Sequence, residues 1–315
     1  RMTAHPSTRS GEPLTRRGLL TGVGALSGLA ALSACSNTDP FAIDQASGGY
    51  SGGPIIIGSQ QYYSNEIIAE IYAHALEQAG FAVTRQFQIG QREVYLPELR
   101  AGRVDVFPDY SGNLLQSLDA SSTATTSAEV EAALAKALPA GLRALRAAPA
   151  SDQDSYNVTR QSAERYQLVS LADLTRAPQP VRIGGNAELA TRPYGPRGLT
   201  SHYGIETHLV AVEDSGGPLT RKALADGTVL VADLYSSDPE IVSSGFVTLT
   251  DPKSMILPQN VVPIVSPRVN PAAVAALEKV QARLDTPALR ELNAQSKQQQ
   301  RKASDIARAW LSSIT

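Results

Sequence analysis

The chain has 315 residues, 42% of them apolar, and 28 lysines and arginines against 30 aspartates and glutamates, for a net charge of −2. That length accommodates one large or two medium domains with a proper core. An acidic balance without a basic block argues against nucleic-acid binding, and four histidines without ligand spacing beside a single cysteine argue against a metal centre.

The first thirty-five residues have the three-part layout of an export signal. Arg9, Arg16 and Arg17 make a basic head, the uncharged run from Leu19 to Ala34 is small or apolar, and the run closes on Leu32-Ser33-Ala34-Cys35. That run is shorter than the roughly 20 residues a helix needs to cross a bilayer. Thr15-Arg16-Arg17-Gly18-Leu19-Leu20 resembles a twin-arginine signal, and Leu32 to Cys35 resembles a bacterial lipobox. Cys35 has no second cysteine to pair with, and lipidation accounts for it. The expectation is an extracytoplasmic protein held on the cell membrane through a lipid at Cys35, with residues 1–35 as the signal. Removing residues 1–34 takes away four arginines and one glutamate, leaving 24 basic against 29 acidic side chains, a net of about −5. Residues 36–53, rich in Ser, Gly, Asp and Asn, read as a flexible tether.

The folded part then opens on Ile55-Ile56-Ile57, a buried-strand run ending at Gly58-Ser59. Ile67, Ile68, Ile71, Ala75 and Ala79 share one helical face, so a helix is expected over 65–79, stopped by Gly80. Val83, Arg85, Phe87 and Ile89 alternate as a second strand. A short helix over 93–101, a strand over 104–107 and an Ala/Leu-rich helix over 128–145 follow. Strands are expected at 181–183, 208–212, 229–234, 246–249 and 261–265, with a helix over 218–225. Asn270-Pro271 and Thr286-Pro287 each place a capping residue before a Pro at the first helical position. A last helix covers about 304–312.

Strands alternating with helices imply an α/β protein with mainly parallel sheets and helices on both faces. Ligands of such sheets bind at the carboxyl ends of the strands. The loops after Ile57, Phe107, Ile183 and Leu234 are therefore the ones to inspect, and each carries polar or aromatic residues. All eleven tyrosines lie beyond the signal, and tyrosine, with its polar end, suits the lining of a wet cleft. Glu213-Asp214-Ser215-Gly216-Gly217-Pro218-Leu219 resembles the nucleophile loop of trypsin-like proteases, but no histidine stands in a matching context. A Gly-Gly turn leading into a helix accounts for it better. No phosphate-binding glycine loop or paired catalytic carboxylate stands out, so a binding protein without catalysis or cofactor is expected.

Eight segments in order then resemble the substrate-binding lipoproteins of osmoprotectant ABC importers, which capture glycine betaine, choline, carnitine or proline betaine. Ile57-Gly58-Ser59 with Asn65 and Ala69-Glu70 is similar to the family's opening GSKNFTEN…AE. Gly90-Gln91-Arg92-Glu93-Val94 is similar to its G-x-RE segment, and Asp105 to Gly112 to its D-x-YPEYTG. Ala148-Pro149-Ala150, Asp154-Ser155-Tyr156, Asp214 to Thr220, Ser237-Asp238-Pro239 and Pro258 to Pro263 complete the series. The resemblance, from about residue 55 to the end, implies a type II periplasmic-binding fold of two lobes with a ligand cleft between them. Lobe 1 is expected at 54–154 plus 262–315 and lobe 2 at 155–261, with the two crossings as hinge.

Carried over by motif, the cage around a trimethylammonium group would be Tyr110, Tyr156 and Tyr235, because a group with no N–H to donate is met by aromatic faces. Arg192 would take the ligand's carboxylate. Gln60 stands where the family has a lysine and Asn113 where it often has a threonine. Asp154 would add negative charge near the cation or help hold the closed state. Gln259 replaces a frequent tyrosine, and Tyr63, at the cleft mouth, is expected to restore part of that wall. The resemblance implies a monomer that hands a quaternary ammonium solute to an ABC permease driven by ATPase subunits. The alternative is a sensor or scavenger of the same fold with an aromatic or polyol ligand.

Overall fold

The computed structural model describes residues 52–314. The export signal, Cys35 and nearly all of the tether lie outside the described residues. Chain order runs β1 (Ile55–Gly58), α1 (Tyr63–Gln78), β2 (Val83–Gln86), α2 (Arg92–Arg100), β3 (Val106–Tyr110), α3 (Ser111–Leu118), α4 (Ser127–Ala137) and β4 (Arg143–Ala144). There follow β5 (Asp154–Thr159), α5 (Arg160–Tyr166), β6 (Val181–Gly185), α6 (Pro196–Tyr203), β7 (Thr207–Ala211), α7 (Pro218–Ala225), β8 (Val231–Tyr235), α8 (Glu240–Ser243) and β9 (Phe246–Thr248). The chain closes with β10 (Val261–Val265), α9 (Pro271–Gln281), α10 (Thr286–Lys297) and α11 (Ala303–Ile314).

The strands make two five-stranded sheets with the orders β2-β1-β3-β10-β4 and β7-β6-β8-β5-β9. Within them β1 pairs in parallel with β2 and β3, and β6 with β7 and β8. By contrast β10 runs antiparallel to β3 and β4, and β5 to β8 and β9. The sheets are therefore mixed rather than mainly parallel as the alternation of elements predicts. The reason lies in the connections. β5 and β10 are the strands by which the chain passes from one sheet into the other, so they start at the interface and run away from it. β3 and β8 end there, and the registers Val261↔Tyr110 and Asp154↔Tyr235 put those starts beside those ends.

Period-two alternation feeds a core on each face of the first sheet. Ile55, Ile57, Val106, Val261 and Val265 pack on one side, around α1 and the three C-terminal helices, while Phe107, Val262 and Ile264 pack on the other. Helix α1 is buried nearly all round, as an apolar helix in the middle of a layer should be. In the second sheet Val181, Ile183 and Val231 face one core, and Ala232 and Leu234 another. The helix expected to reach residue 145 stops at Ala137, because Pro139 and Gly141 (φ +89°) force a turn from which Arg143–Ala144 pairs with β10. β5, DSYNVT, carries too little apolar periodicity to announce itself, yet Asp154, Ser155 and Asn157 are all buried. Among the described residues no helix is long and apolar enough to cross a membrane.

Candidate ligand-binding site

A cavity of about 50 Å³ lies where loops from the two sheets meet, and it is lined from both lobes. The first sheet contributes Gln60 and Tyr62 from the loop after β1, Gln91 and Arg92 at the start of α2, Tyr110 at the end of β3 and Asn113 in α3. The second contributes Asp154 at the start of β5, Asn186, Glu188, Leu189, Arg192 and Tyr194 after β6, and Asp233 and Tyr235 at the end of β8.

The loop after β1 is pinned before it becomes helix. Asn65 accepts the backbone N–H of Gln60 at 2.8 Å and donates to the Pro108 carbonyl at 2.9 Å, which ties it to β3. Tyr62, the extended residue just ahead of α1, thereby turns into the cavity. Its ring stacks on Tyr235 with centroids 5.2 Å apart and on Tyr110 at 6.1 Å. These three rings form one aromatic column, with Tyr62 and Tyr110 from one lobe and Tyr235 from the other. Tyr194 adds a fourth ring to the lining.

Three aspartates surround the rings. Asp152 is buried and accepts Ser64 Oγ and the Ser237 N–H, yet burial outweighs those bonds and pushes its carboxyl up to about 6. Asp154 accepts from Asn113 Nδ2 at 2.8 Å. Register makes Asp154 and Asp233 diagonal neighbours on one face of the antiparallel pair. Burial, then the charge of Asp154 and a hydrogen bond between the two carboxyl groups, drives Asp233 well above the ordinary carboxylate range. Its Oδ1 is buried and accepts no hydrogen bond.

Two arginines reach the lining. Arg92 is buried and paired with Asp109 at 2.8 Å. Arg192 donates to Glu93 at 2.7 Å, an ion pair that spans the two lobes.

Of the residues expected from sequence, Tyr110, Tyr235, Arg192, Gln60, Asn113 and Asp154 line this cavity. Three others stand elsewhere. Tyr156 is 1% exposed in the second core, and its hydroxyl donates to the Tyr194 carbonyl at 2.6 Å. Tyr63, first residue of α1, turns its ring toward Lys297, whose Nζ sits 4.6 Å from the centroid while donating to Asp238 at 2.6 Å. Gln259 is buried behind the lining, where it accepts the Asn113 N–H at 2.8 Å and donates to Asn113 Oδ1 at 2.9 Å. It orients Asn113 rather than walling the cavity. Gly112 makes room for that contact, since a Cβ there would lie 2.7 Å from Gln259 Nε2 and 2.6 Å from the Pro258 carbonyl. From sequence Tyr62 reads as a core residue, because the family tends to have Phe there; it is buried in the first core and lines the cavity as well, while sequence reasoning passed over Asp152, Tyr194 and Asp233. The alternation of β8 places Asp233 on the same face as Tyr235, and that signal was available.

Comparison with known proteins agrees with this architecture. The family described as the substrate binding domain of ABC-type glycine betaine transport systems matches residues 53–313. The glycine betaine-binding protein YehZ of Escherichia coli (strain K12) is 28% identical over 262 residues, covering 76% of this chain and 84% of that protein. A solved glycine betaine/carnitine/choline ABC transporter structure superposes with a TM-score of 0.67 at 18% identity, over 82% of this chain and 98% of its own. Lactococcal OpuAC, closed on glycine betaine, gives 0.61 at 15% identity, over 83% and 96%. At those identities the two structures speak for the fold, which is the two-lobed type II periplasmic-binding fold.

Proposed function

The chain belongs to the family of substrate-binding domains of ABC-type glycine betaine transport systems, and from that premise we propose that its cleft captures a quaternary ammonium solute of the glycine betaine type. As a member of that family it is an extracytoplasmic binding component of an importer and not an enzyme. We further propose that it delivers the solute as a monomer, tethered through a lipid on Cys35. The hinge would lie at the two crossings between a lobe of residues 54–154 with 262–315 and a lobe of residues 155–261.

The observation that carries the ligand assignment is the column Tyr110–Tyr62–Tyr235 standing in one cavity with Asp152, Asp154 and Asp233. A trimethylammonium group cannot donate a hydrogen bond. Electron-rich ring faces attract it, at about 0.5–2 kcal/mol per ring according to desolvation. The nearby carboxylates add charge in a medium where Coulomb attraction is strong. The rings touch one another in this structure, so a ligand has to part Tyr62 from Tyr235, which come from different lobes. Hinge opening and closing around the solute accomplishes that.

The test is calorimetric titration of the purified protein with glycine betaine, carnitine and choline beside uncharged, methylated isosteres. Saturable binding of the charged solutes alone is expected. Binding of the isosteres with equal affinity would remove the reading.

A further inference from the structure

Helix α10 meets the second lobe along one face. Its Leu289 and Leu292 are buried in the first core, so the helix belongs to the first lobe. Thr286, Arg290, Asn293 and Lys297 follow at steps of four, three and four, which puts them on a single side. Thr286 Oγ1 accepts the N–H of Ser151, where the chain is about to leave the first lobe, at 3.0 Å. The other three reach the loop after β8. Arg290 Nη2 donates to the Ser236 carbonyl at 3.5 Å, and Asn293 Nδ2 to Ser237 Oγ at 2.7 Å and the Ser237 carbonyl at 3.3 Å. Lys297 Nζ donates to Asp238 at 2.6 Å. These contacts are polar throughout, so parting them uncovers no apolar surface.

Each charge in the seam has a second holder in its own lobe. Asp238 also accepts from Arg221 at 3.2 Å, and Arg221 pairs with Glu240 at 2.5 Å, all within the second lobe. Lys297 Nζ stands 4.6 Å from the centre of the Tyr63 ring, within the first. Breaking a buried ion pair is costly when it strands a charge. Here the Asp238 side chain, 3% exposed, keeps Arg221, and Lys297, 12% exposed, keeps an aromatic face and gains water. Asn293 is wholly buried with its Oδ1 unpaired, a cost that contact with water relieves. We propose that this face of α10 is a reversible clasp between the lobes, locked by Lys297 on Asp238, and that it sets how long they stay shut on a bound solute. The inference rests on the reading of the cleft as a quaternary ammonium site and adds to it an element outside the cavity lining that governs release.

The experiment follows association and dissociation of glycine betaine by stopped flow in the wild type, Lys297→Met and Asn293→Ala, with small-angle X-ray scattering of each protein beside it. Methionine keeps an apolar stem over Tyr63 while removing the charge, and Asn293→Ala leaves every charge in place, so a folding failure of one variant leaves the other informative. Dissociation should speed up roughly ten- to fiftyfold in Lys297→Met and about two- to tenfold in Asn293→Ala, while association stays within about threefold of the wild type. Both variants should scatter with a larger radius of gyration than the wild type, because the balance moves toward parted lobes. Unchanged dissociation in both variants overturns the clasp, and so does a loss of affinity carried by slower association. If the wild type binds no quaternary ammonium solute, the reading of the cleft falls, and scattering then decides the clasp by itself: variants with the wild-type radius of gyration overturn it.

Discussion

Tyr62, ahead of α1, stacks on Tyr235, at the end of β8, with ring planes 22° apart. The contact joins two lobes through ring faces, and in the proposed reading the same pair of rings would serve as both closure contact and cage. Replacing either tyrosine by alanine should weaken quaternary ammonium binding by about 0.5–2 kcal/mol, a factor of roughly two to thirty. Calorimetric titration measures it, and affinity unchanged in both variants would exclude a ring cage.

Tyr156 tests the boundary between cage and core. Tyr156→Phe deletes the hydroxyl bond to the Tyr194 carbonyl, at 2.6 Å, and leaves the ring packed. Stability should fall by about 1 kcal/mol in urea unfolding. Affinity should change less than in Tyr62→Ala, and the reverse order would place Tyr156 against the ligand.

Asp152 makes stability depend on pH. Its carboxyl titrates at about 6 in the folded protein against 3.8 for the free group, so the folded state holds the proton more tightly. Its stabilising contribution is therefore complete below about pH 4 and lost as pH rises through 6. Asp152→Asn can still accept the Ser237 N–H and donate to Ser64. It should match the wild type near pH 4 and exceed it above pH 7 by on the order of 2–3 kcal/mol. Urea unfolding at the two pH values reads this directly, and a variant less stable than the wild type at pH 8 contradicts it.

Asp233 couples capture to protons. Burial and the neighbouring Asp154 raise its carboxyl well above the ordinary carboxylate range, and a cation in the cavity favours the ionised form instead. Binding of a quaternary ammonium solute at neutral pH should release a proton, and affinity should rise with pH. Titration in two buffers of different ionisation enthalpy gives the number of protons released. A value of zero in the wild type, or an undiminished value in Asp233→Asn, speaks against the pair.

Gly112 guards the placement of Asn113. A methyl group there would meet the Pro258 carbonyl at 2.6 Å, so the backbone has to shift. Gly112→Ala should cost about 1–3 kcal/mol of stability. It should also weaken ligand binding, because Gln259 no longer holds Asn113 toward Asp154. Thermal unfolding and titration follow the two effects separately.

Much of the frame was legible because it is local. Ile55–Ile57 is a continuous apolar run, Val181–Ile183 states a period of two, α1 states a period near 3.6, and glycine ends each of them. Those periods alone put Gln60, Tyr110, Arg192 and Tyr235 after strands, at the edge where such sheets bind ligands. Tyr62 and Tyr63 are different: nothing in two adjacent tyrosines says which enters the cavity. The hold of Asn65 on the loop and the position of Lys297, more than two hundred residues away, decide it. Tyr156 likewise shares a strand face with Asp154, and only the later segment carrying Tyr194 covers it. The pairing of Asp154 with Asp233 depends on the register of β5 against β8, strands separated by most of a lobe. Backbone periodicity is set by each residue's near neighbours. The surroundings of a side chain are set by whatever the rest of the chain packs against it, and that belongs to the tertiary structure.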